Sequence, residues 1–402
     1  MMPGALEGVK VADFSWVGAG PRATKDLADN GALVVKIESR RRLDLGRLSP
    51  PFKDGRRDPD GSAFFAQTNT GKLSVSINLG EPRGVEVARA LVAWADVVVE
   101  NFGKGFLERL GLSWEEMLAV NPDLILASVS VAGRTGPLSD IRGYGNSAAA
   151  LSGQAALSGW TGGTPHMPPF AYGDVVAPMF ATVAVLAALE HRRRTGEGQR
   201  VDVSQVEPLM HTLSDLYLAE GMNGPDSAIR GNRNPSAAPH AVYPCRGPDQ
   251  WCAIACETAE QWSALKKVVC DPRLDSPGFS DAAGRKILED ELDAILSAWT
   301  AAQDKHVLAA SLRGKGVPAG AVQDGRDVFT DPELQAAGHY IRVDHPMMGG
   351  SDMPAPPMRF SRSQIEVRPA PLLGQHNRQV FVGLLGMPEA EIAALEAEGV
   401  LA

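Results

Sequence analysis

Three observations predict an α/β fold: a mainly parallel sheet in a large domain, followed by a smaller α+β domain. Short β-rich runs alternate with helical stretches through the first half of the chain, the pattern of a sheet covered by helices on both faces. A cluster of chain breakers, Gly221-Met222-Asn223-Gly224-Pro225, then marks a change in composition. Finally, 402 residues with 44% hydrophobic and 22% charged content suffice for two globular cores.

The elements follow in order. Val9 to Phe14 reads as a strand, Pro21 to Asp29 as a helix and Leu33 to Ile37 as the next strand. Leu73 to Ile77 and Val97 to Val99 are further strands, with a helix from Arg83 to Trp94 between them. Ser113-Trp114-Glu115-Glu116 is a capping box, which opens a short helix closed by Asn121-Pro122. Leu124 to Ser130 is another β-rich run. Val175 to Leu189 is the longest apolar stretch. It contains Pro178 and falls short of the roughly 20 residues of a membrane span, so it is expected to be a buried core helix. Beyond the breaker cluster, Ala253 to Ala255 centres a strand, and Glu260 to Val269 and Ala283 to Trp299 are helical. The segment from Val328 is rich in Pro, Gly and Met before a last helix at Pro388 to Glu398, and is expected to pack back on the first domain. The expected division is therefore 1–225 with 329–402 as the large domain and 226–328 as the small one.

A formal net charge of −9 argues against nucleic acid as the main partner. No membrane partner is expected either. Cys245, Cys252, Cys256 and Cys270 lack zinc-knuckle spacing, and Cys252 and Cys256 alternate with Ile254 as one buried face. No metal site and no disulfide framework is implied, which suits a reducing compartment. Met1-Met2-Pro3-Gly4 carries no signal pattern, and a cytoplasmic location is expected.

The chemistry-bearing candidates are few. Gly18-Ala19-Gly20-Pro21-Arg22-Ala23 follows a strand, with Glu38 ending the second strand as in a dinucleotide site. Ser15, Trp16 and Val17 intervene before the glycines, and Pro21 removes an N–H, which also fits a plain helix start. Another phosphate-bearing ligand is the third reading. Lys72, Lys104 and Arg109 are either surface charges or phosphate donors. Val99-Glu100-Asn101-Phe102-Gly103 ends a strand where open sheets bind ligands, so Asn101 can hydrogen-bond and Phe102 can stack; otherwise the segment is a turn. Asp174, directly before the long apolar helix, is either an N-cap or a nucleophile kept ionised by the helix dipole.

Together these stretches resemble the class III coenzyme A transferases, the CaiB/BaiF family. The similarity runs in order through Leu6-Glu7-Gly8-Val9-Lys10-Val11, Ala19-Gly20-Pro21, Val35-Lys36-Ile37-Glu38 and Asn69-Thr70-Gly71-Lys72-Leu73-Ser74. It continues through Ala95 to Phe102, Leu107 to Gly111, Asn121-Pro122, Gly173-Asp174, Gly198 to Ser204 and Gly316 to Gly320. The resemblance implies a Rossmann-like large domain and two subunits threaded together as an interlinked homodimer. It also implies CoA and acyl-CoA as substrates with a small carboxylic acid, and no permanently bound cofactor. Asp174 is implied as the catalytic carboxylate, forming an aspartyl anhydride and then an aspartyl-CoA thioester. Val17, Gly18 and Ala19 are implied to line the pantetheine arm, Arg40 the adenine end, and Lys72, Asn101, Phe102 and Arg109 other CoA contacts.

Departures from the family's branches refine the expectation. Gly231-Asn232-Arg233 is followed by Asn234-Pro235-Ser236-Ala237-Ala238-Pro239-His240 rather than a glycine run, which speaks against oxalate or formate. Tyr144-Gly145 stands where the related racemases carry His-Asp, which leaves an isomerase or racemase as the alternative on the same scaffold. An NAD(P)-dependent oxidoreductase is the alternative from a different class, and a non-catalytic CoA-binding paralogue is a further one. Tyr144, Arg233 and His240 are candidates for shaping the acid pocket. Gln379 replaces an acidic residue usual in the family.

Overall fold

The computed structural model of the chain describes residues 2–224 and 229–401. Two compact units emerge: Met1–Ala155, Met167–Pro225 and Ala336–Ala402 form the larger, and Ala156–His166 with Asp226–Gln335 the smaller. The division differs from the expected one in two places. The smaller unit extends to 335 rather than 328, and residues 156–166 join it.

The larger unit is built on β1 (Lys10–Asp13), β2 (Leu33–Glu38), β3 (Leu73–Ser76), β4 (Val97–Glu100), β5 (Ile125–Ser130) and β6 (Gln199–Ser204), in the order β3-β2-β1-β4-β5-β6. Every neighbouring pair is parallel. Alternation sends Val11, Val34, Val97, Val99, Ile125 and Ala127 to one face, against helix Ala19–Asp29 and helix Gly173–Thr195. Ala12, Phe14, Val35, Ile37, Val75 and Val98 go to the other face. There they meet helix Pro82–Trp94 and the C-terminal residues Val380, Phe381, Ile392, Leu395 and Val400. The last segment thus packs on the first strands, as expected. It also contains an antiparallel pair, β10 (Tyr340–His345) and β11 (Gly349–Pro354), in a region expected to hold little regular structure.

The smaller unit carries β7 (His240–Pro244), β8 (Trp251–Ala255) and β9 (Ala319–Ala321) as an antiparallel sheet. Its core includes Cys245, Cys252, Ile254, Cys256, Trp262, Leu292 and Leu296, which gives Cys252 and Cys256 the buried role read from their spacing and buries Cys245 as well. All four cysteines are free, and Cys270 is exposed. The helix expected over 283–299 is two, Ala282–Ile287 and Glu289–Thr300, broken at Leu288. Of the breaker cluster, Gly221, Met222 and Asn223 end helix Ser214–Asn223, and Pro225 lies outside the described residues.

The long apolar helix departs from the expectation of full burial. Val176, Ala177, Ala181, Val185 and Ala188 are buried, but Met179, Phe180, Val183 and Leu186 are exposed. Its composition is apolar all round, so burial of one stripe leaves the other facing outward.

Candidate active site

The order 3-2-1-4-5-6 reverses between β1 and β4, and open sheets of this kind place ligands outside the strand ends at that point. The loop after β1, Ser15 to Gly18, lies there and is fixed by charges beneath it. Asp13 accepts from Ser15 N (2.9 Å), from Thr24 Oγ1 (2.7 Å) and from Lys72 Nζ (2.9 Å). Lys72 also donates to the Pro21 carbonyl (2.9 Å) and to Asn69 Oδ1 (2.8 Å), so its three ammonium protons are engaged. Burial alone would raise the Asp13 carboxyl, but Lys72 and Lys36 outweigh it and hold it down at about 2. Burial pulls Lys72 down to about 8 against the attraction of Asp13, and it keeps its proton at neutral pH.

Two further side chains shape the loop. Asn101 grips the Trp16 backbone in both directions, accepting from its N–H and donating to its carbonyl, each at 2.8 Å. Asp44 Oδ1 accepts from Val17 N at 2.9 Å and from Gly46 N at 2.8 Å. Val17 is held at φ 64°, a left-handed conformation costly for a β-branched residue, so the surroundings over-determine it. Gly20 allows the helix that follows to start here, since a Cβ on it would lie 2.2 Å from Ser15 Cβ.

Asp174 occupies the first turn of helix Gly173–Thr195, whose N-cap position is Tyr172 with no side-chain cap. Its carboxylate serves other elements. Oδ2 accepts from Gly145 N (3.2 Å) at the start of helix Gly145–Leu151, and Oδ1 accepts from Gln205 Nε2 (2.9 Å) just beyond β6. A Cβ on Gly18 would stand 3.2 Å from Asp174 Cβ, so the loop backbone lies against the carboxylate. Asp174 is therefore not the N-cap, although it sits in the first turn, where the helix dipole favours its charged form. Burial pushes the Asp174 carboxyl above its ordinary value, while Gly145, Gln205 and the Arg22 guanidinium pull the other way.

Next to this loop is a cavity of about 590 Å³. Trp16, Phe102 and Phe106 form its aromatic wall, Trp16 edge-on to Phe102 at 5.4 Å and Phe102 against Phe106 at 3.9 Å. Arg41, Arg42, Lys104, Arg109 and Arg142 bring positive charge to its rim, with Arg42 over the Trp16 ring at 5.7 Å. An aromatic wall beside guanidinium and ammonium groups suits a ligand with a stacking base and phosphates. The segment Trp16-Val17-Gly18 leads from this wall to Asp174.

Comparison with known proteins agrees with that chemistry. The family model described as CoA-transferase family III matches residues 6–377. The chain belongs to CoA-transferase family III. Among its curated relatives, succinyl-CoA–D-citramalate CoA-transferase of Chloroflexus aurantiacus is 33% identical over 99% of this chain and 98% of that protein. Succinyl-CoA:glutarate CoA-transferase of Mus musculus is 32% identical over 98% of this chain and 90% of that one. A solved CaiB/BaiF family protein from Brucella suis superposes with a TM-score of 0.87, at 30% identity, over 96% of this chain and all of that one. The chain is a CoA-transferase, whose substrates are CoA thioesters and carboxylates. The oxidoreductase alternative falls with that finding, and Glu38 is in any case occupied by Arg47 and Ser74.

In this transferase the sequence-derived site residues divide into two sets. Phe102 and Arg109 line the cavity, and Val17, Gly18 and Ala19 form the loop and helix start beside Asp174. The other three face inward or elsewhere. Lys72 and Asn101 hold the loop from below rather than presenting free donors. Arg40 donates to the Leu373 carbonyl at 2.9 Å, and its neighbours Arg41 and Arg42 line the cavity instead. In the smaller unit, Arg233 is neutralised by Glu289, Asp290 and Asp293. Tyr144 is exposed and precedes Gly145. Gly145, Gln205 and Arg22 were missed from sequence; the glycine after Tyr144 was the one available signal.

Proposed function

We propose that this CoA-transferase moves CoA from an acyl-CoA donor to a free carboxylic acid through a covalent intermediate on Asp174. The observation that carries this reading is the carboxylate's setting: it is turned away from its own helix, held by Gly145 N and Gln205 Nε2, and faces the backbone at Gly18. One carboxylate oxygen attacks the thioester carbonyl carbon, the C–S bond breaks and CoA leaves as thiolate, giving an acyl-aspartyl anhydride. The thiolate then attacks Cγ of Asp174 and expels the donor acid, giving an aspartyl-CoA thioester. The acceptor carboxylate attacks Cγ in turn and releases thiolate. Attack of that thiolate on the acceptor's acyl carbon yields the new acyl-CoA and restores the carboxylate. Each step preserves the activation of a thioester, so no nucleotide hydrolysis and no permanently bound cofactor are needed.

The cavity supports a place for the nucleotide end of CoA, its base on Phe102 and its phosphates toward Arg41, Arg42, Lys104, Arg109 and Arg142. Two relatives carry names pairing succinyl-CoA with D-citramalate and with glutarate, which supports succinyl-CoA as the first donor to try. The exposed apolar stripe of helix Gly173–Thr195 supports a homodimer, interlinked as in the family, and four free cysteines support a cytoplasmic setting.

The test is mass spectrometry of the Asp174 peptide after incubation with succinyl-CoA and trapping with hydroxylamine. A hydroxamate on Asp174, absent from Asp174→Asn, is expected, with exchange lost in that variant and CoA binding kept. An Asp174→Asn protein with near-normal turnover would sink the proposal.

A further inference from the structure

We propose that the Gln205 amide is the donor for the aspartyl carbonyl oxygen in the two steps that make Cγ of Asp174 the electrophile. This rests on the covalent reading above. Gln205 is buried directly after β6, and its own backbone N–H is anchored to the carbonyls of Ser130 (2.8 Å) and Val131 (3.0 Å). Its Nε2 reaches Asp174 Oδ1 at 2.9 Å, whereas its Oε1 is buried without a hydrogen-bond partner. Buried polar atoms are nearly always satisfied, so this side chain is not optimised for folding alone. The carboxylate itself fixes the amide's orientation. With the amide turned over, Oε1 would face Oδ1, acceptor against acceptor.

The two carboxylate oxygens are therefore unequal. Oδ2 has the longer contact, 3.2 Å to Gly145 N, and is the oxygen released to attack the thioester. After acylation Oδ2 bridges the anhydride and Oδ1 is the aspartyl carbonyl oxygen. When thiolate adds to Cγ, the C–S bond forms and negative charge develops on Oδ1. The Cγ–Oδ2 bond then breaks, and the donor acid departs with the electron pair and with that oxygen. Addition of the acceptor carboxylate to the aspartyl thioester returns charge to Oδ1, and thiolate leaves. In both steps a preorganised Nε2–H already points at the atom that becomes charged. In the first and last steps the charge develops on the substrate's carbonyl oxygen, and Gln205 acts there only by helping to hold the Asp174 carboxylate ionised.

The experiment mixes the full-length protein rapidly with succinyl-CoA and follows two signals. Free thiol reports anhydride formation, and intact-protein mass reports the aspartyl-CoA adduct. Gln205→Met removes the donor with similar bulk, and Gln205→Leu removes it without adding charge beside Asp174, so that one folded variant suffices. We expect a near-stoichiometric thiol burst in either variant. Adduct formation and turnover with glutarate should fall about 10²–10³-fold, the scale of losing one oxyanion donor, with the acyl-CoA KM within about threefold. Adduct formation at the wild-type rate would overturn the proposal. So would a burst and an adduct that fall together, which would make Gln205 a residue positioning the nucleophile for every step. If wild-type protein formed no adduct, the covalent reading itself would fail; an adduct insensitive to Gln205 removes this inference alone.

Discussion

In the mechanism proposed above Asp174 attacks as an anion, yet burial disfavours its charged form while Gly145, Gln205 and Arg22 oppose that. Its carboxyl is held above the ordinary 3.8, so the active anion fills in as pH rises through that raised value. The profile of kcat/KM for acyl-CoA should show an acid limb above 3.8, and Arg22→Met, which removes the favourable charge, should move the limb higher. A limb at or below 3.8 in the wild type would contradict this. The choice itself was legible, because Gly-Asp ahead of an apolar helix narrows the readings to cap or nucleophile. Its partners were not, since Gly145 and Gln205 lie 29 and 31 residues away in the chain and only the fold joins them. Lys72 and Asn101 show the same limit from the other side. Residue type marks them as donors, but whether a donor faces a ligand or a carboxylate beneath a loop depends on burial.

At the scale of elements, the helices beginning at Gly145 and Gly173 meet end to end. A Cβ on Gly145 would stand 2.5 Å from Asp174 N and 2.8 Å from the Ala171 carbonyl oxygen, both backbone atoms. Gly145→Ala should force these termini apart and lower kcat about 10²-fold, the cost of roughly 1 Å of misplacement. Gly221→Ala, in a helix with nothing within 4 Å, should leave kcat unchanged. Steady-state kinetics with thermal melts on both variants checks this, and equal kcat values would refute the close-approach argument. Five of the six strands of the large sheet were readable because each is a short apolar run bounded by breakers; β6 was not named as a strand, since Gln199, Arg200, Asp202 and Ser204 leave it only two valines. The β10–β11 pair was not, because Gly349-Gly350-Ser351-Asp352-Met353-Pro354 has no apolar alternation to read. The break at Leu288 within an otherwise continuous helical pattern escaped for the opposite reason, since periodicity ran through it.

For the whole molecule, the uncovered stripe Met179, Phe180, Val183 and Leu186 is the feature that a second copy of the chain would bury. Val183 is 66% exposed, so Val183→Glu should leave the single chain foldable while blocking assembly of the dimer as the chains fold. Light scattering after size exclusion should then give one chain mass in place of two. A wild-type monomer, or a variant dimer, would contradict the assignment. The closing of the sheet by Val380, Phe381, Ile392, Leu395 and Val400 also has a consequence for synthesis. Phe14, Ile37 and Val75 emerge early from the ribosome but meet these partners only after roughly 300–390 further residues, about 15–80 s later at translation speeds of about 5–20 residues per second. Throughout that interval the part of the face that helix Pro82–Trp94 does not cover stays open, so production of this enzyme should depend on chaperone capacity more than its finished stability suggests.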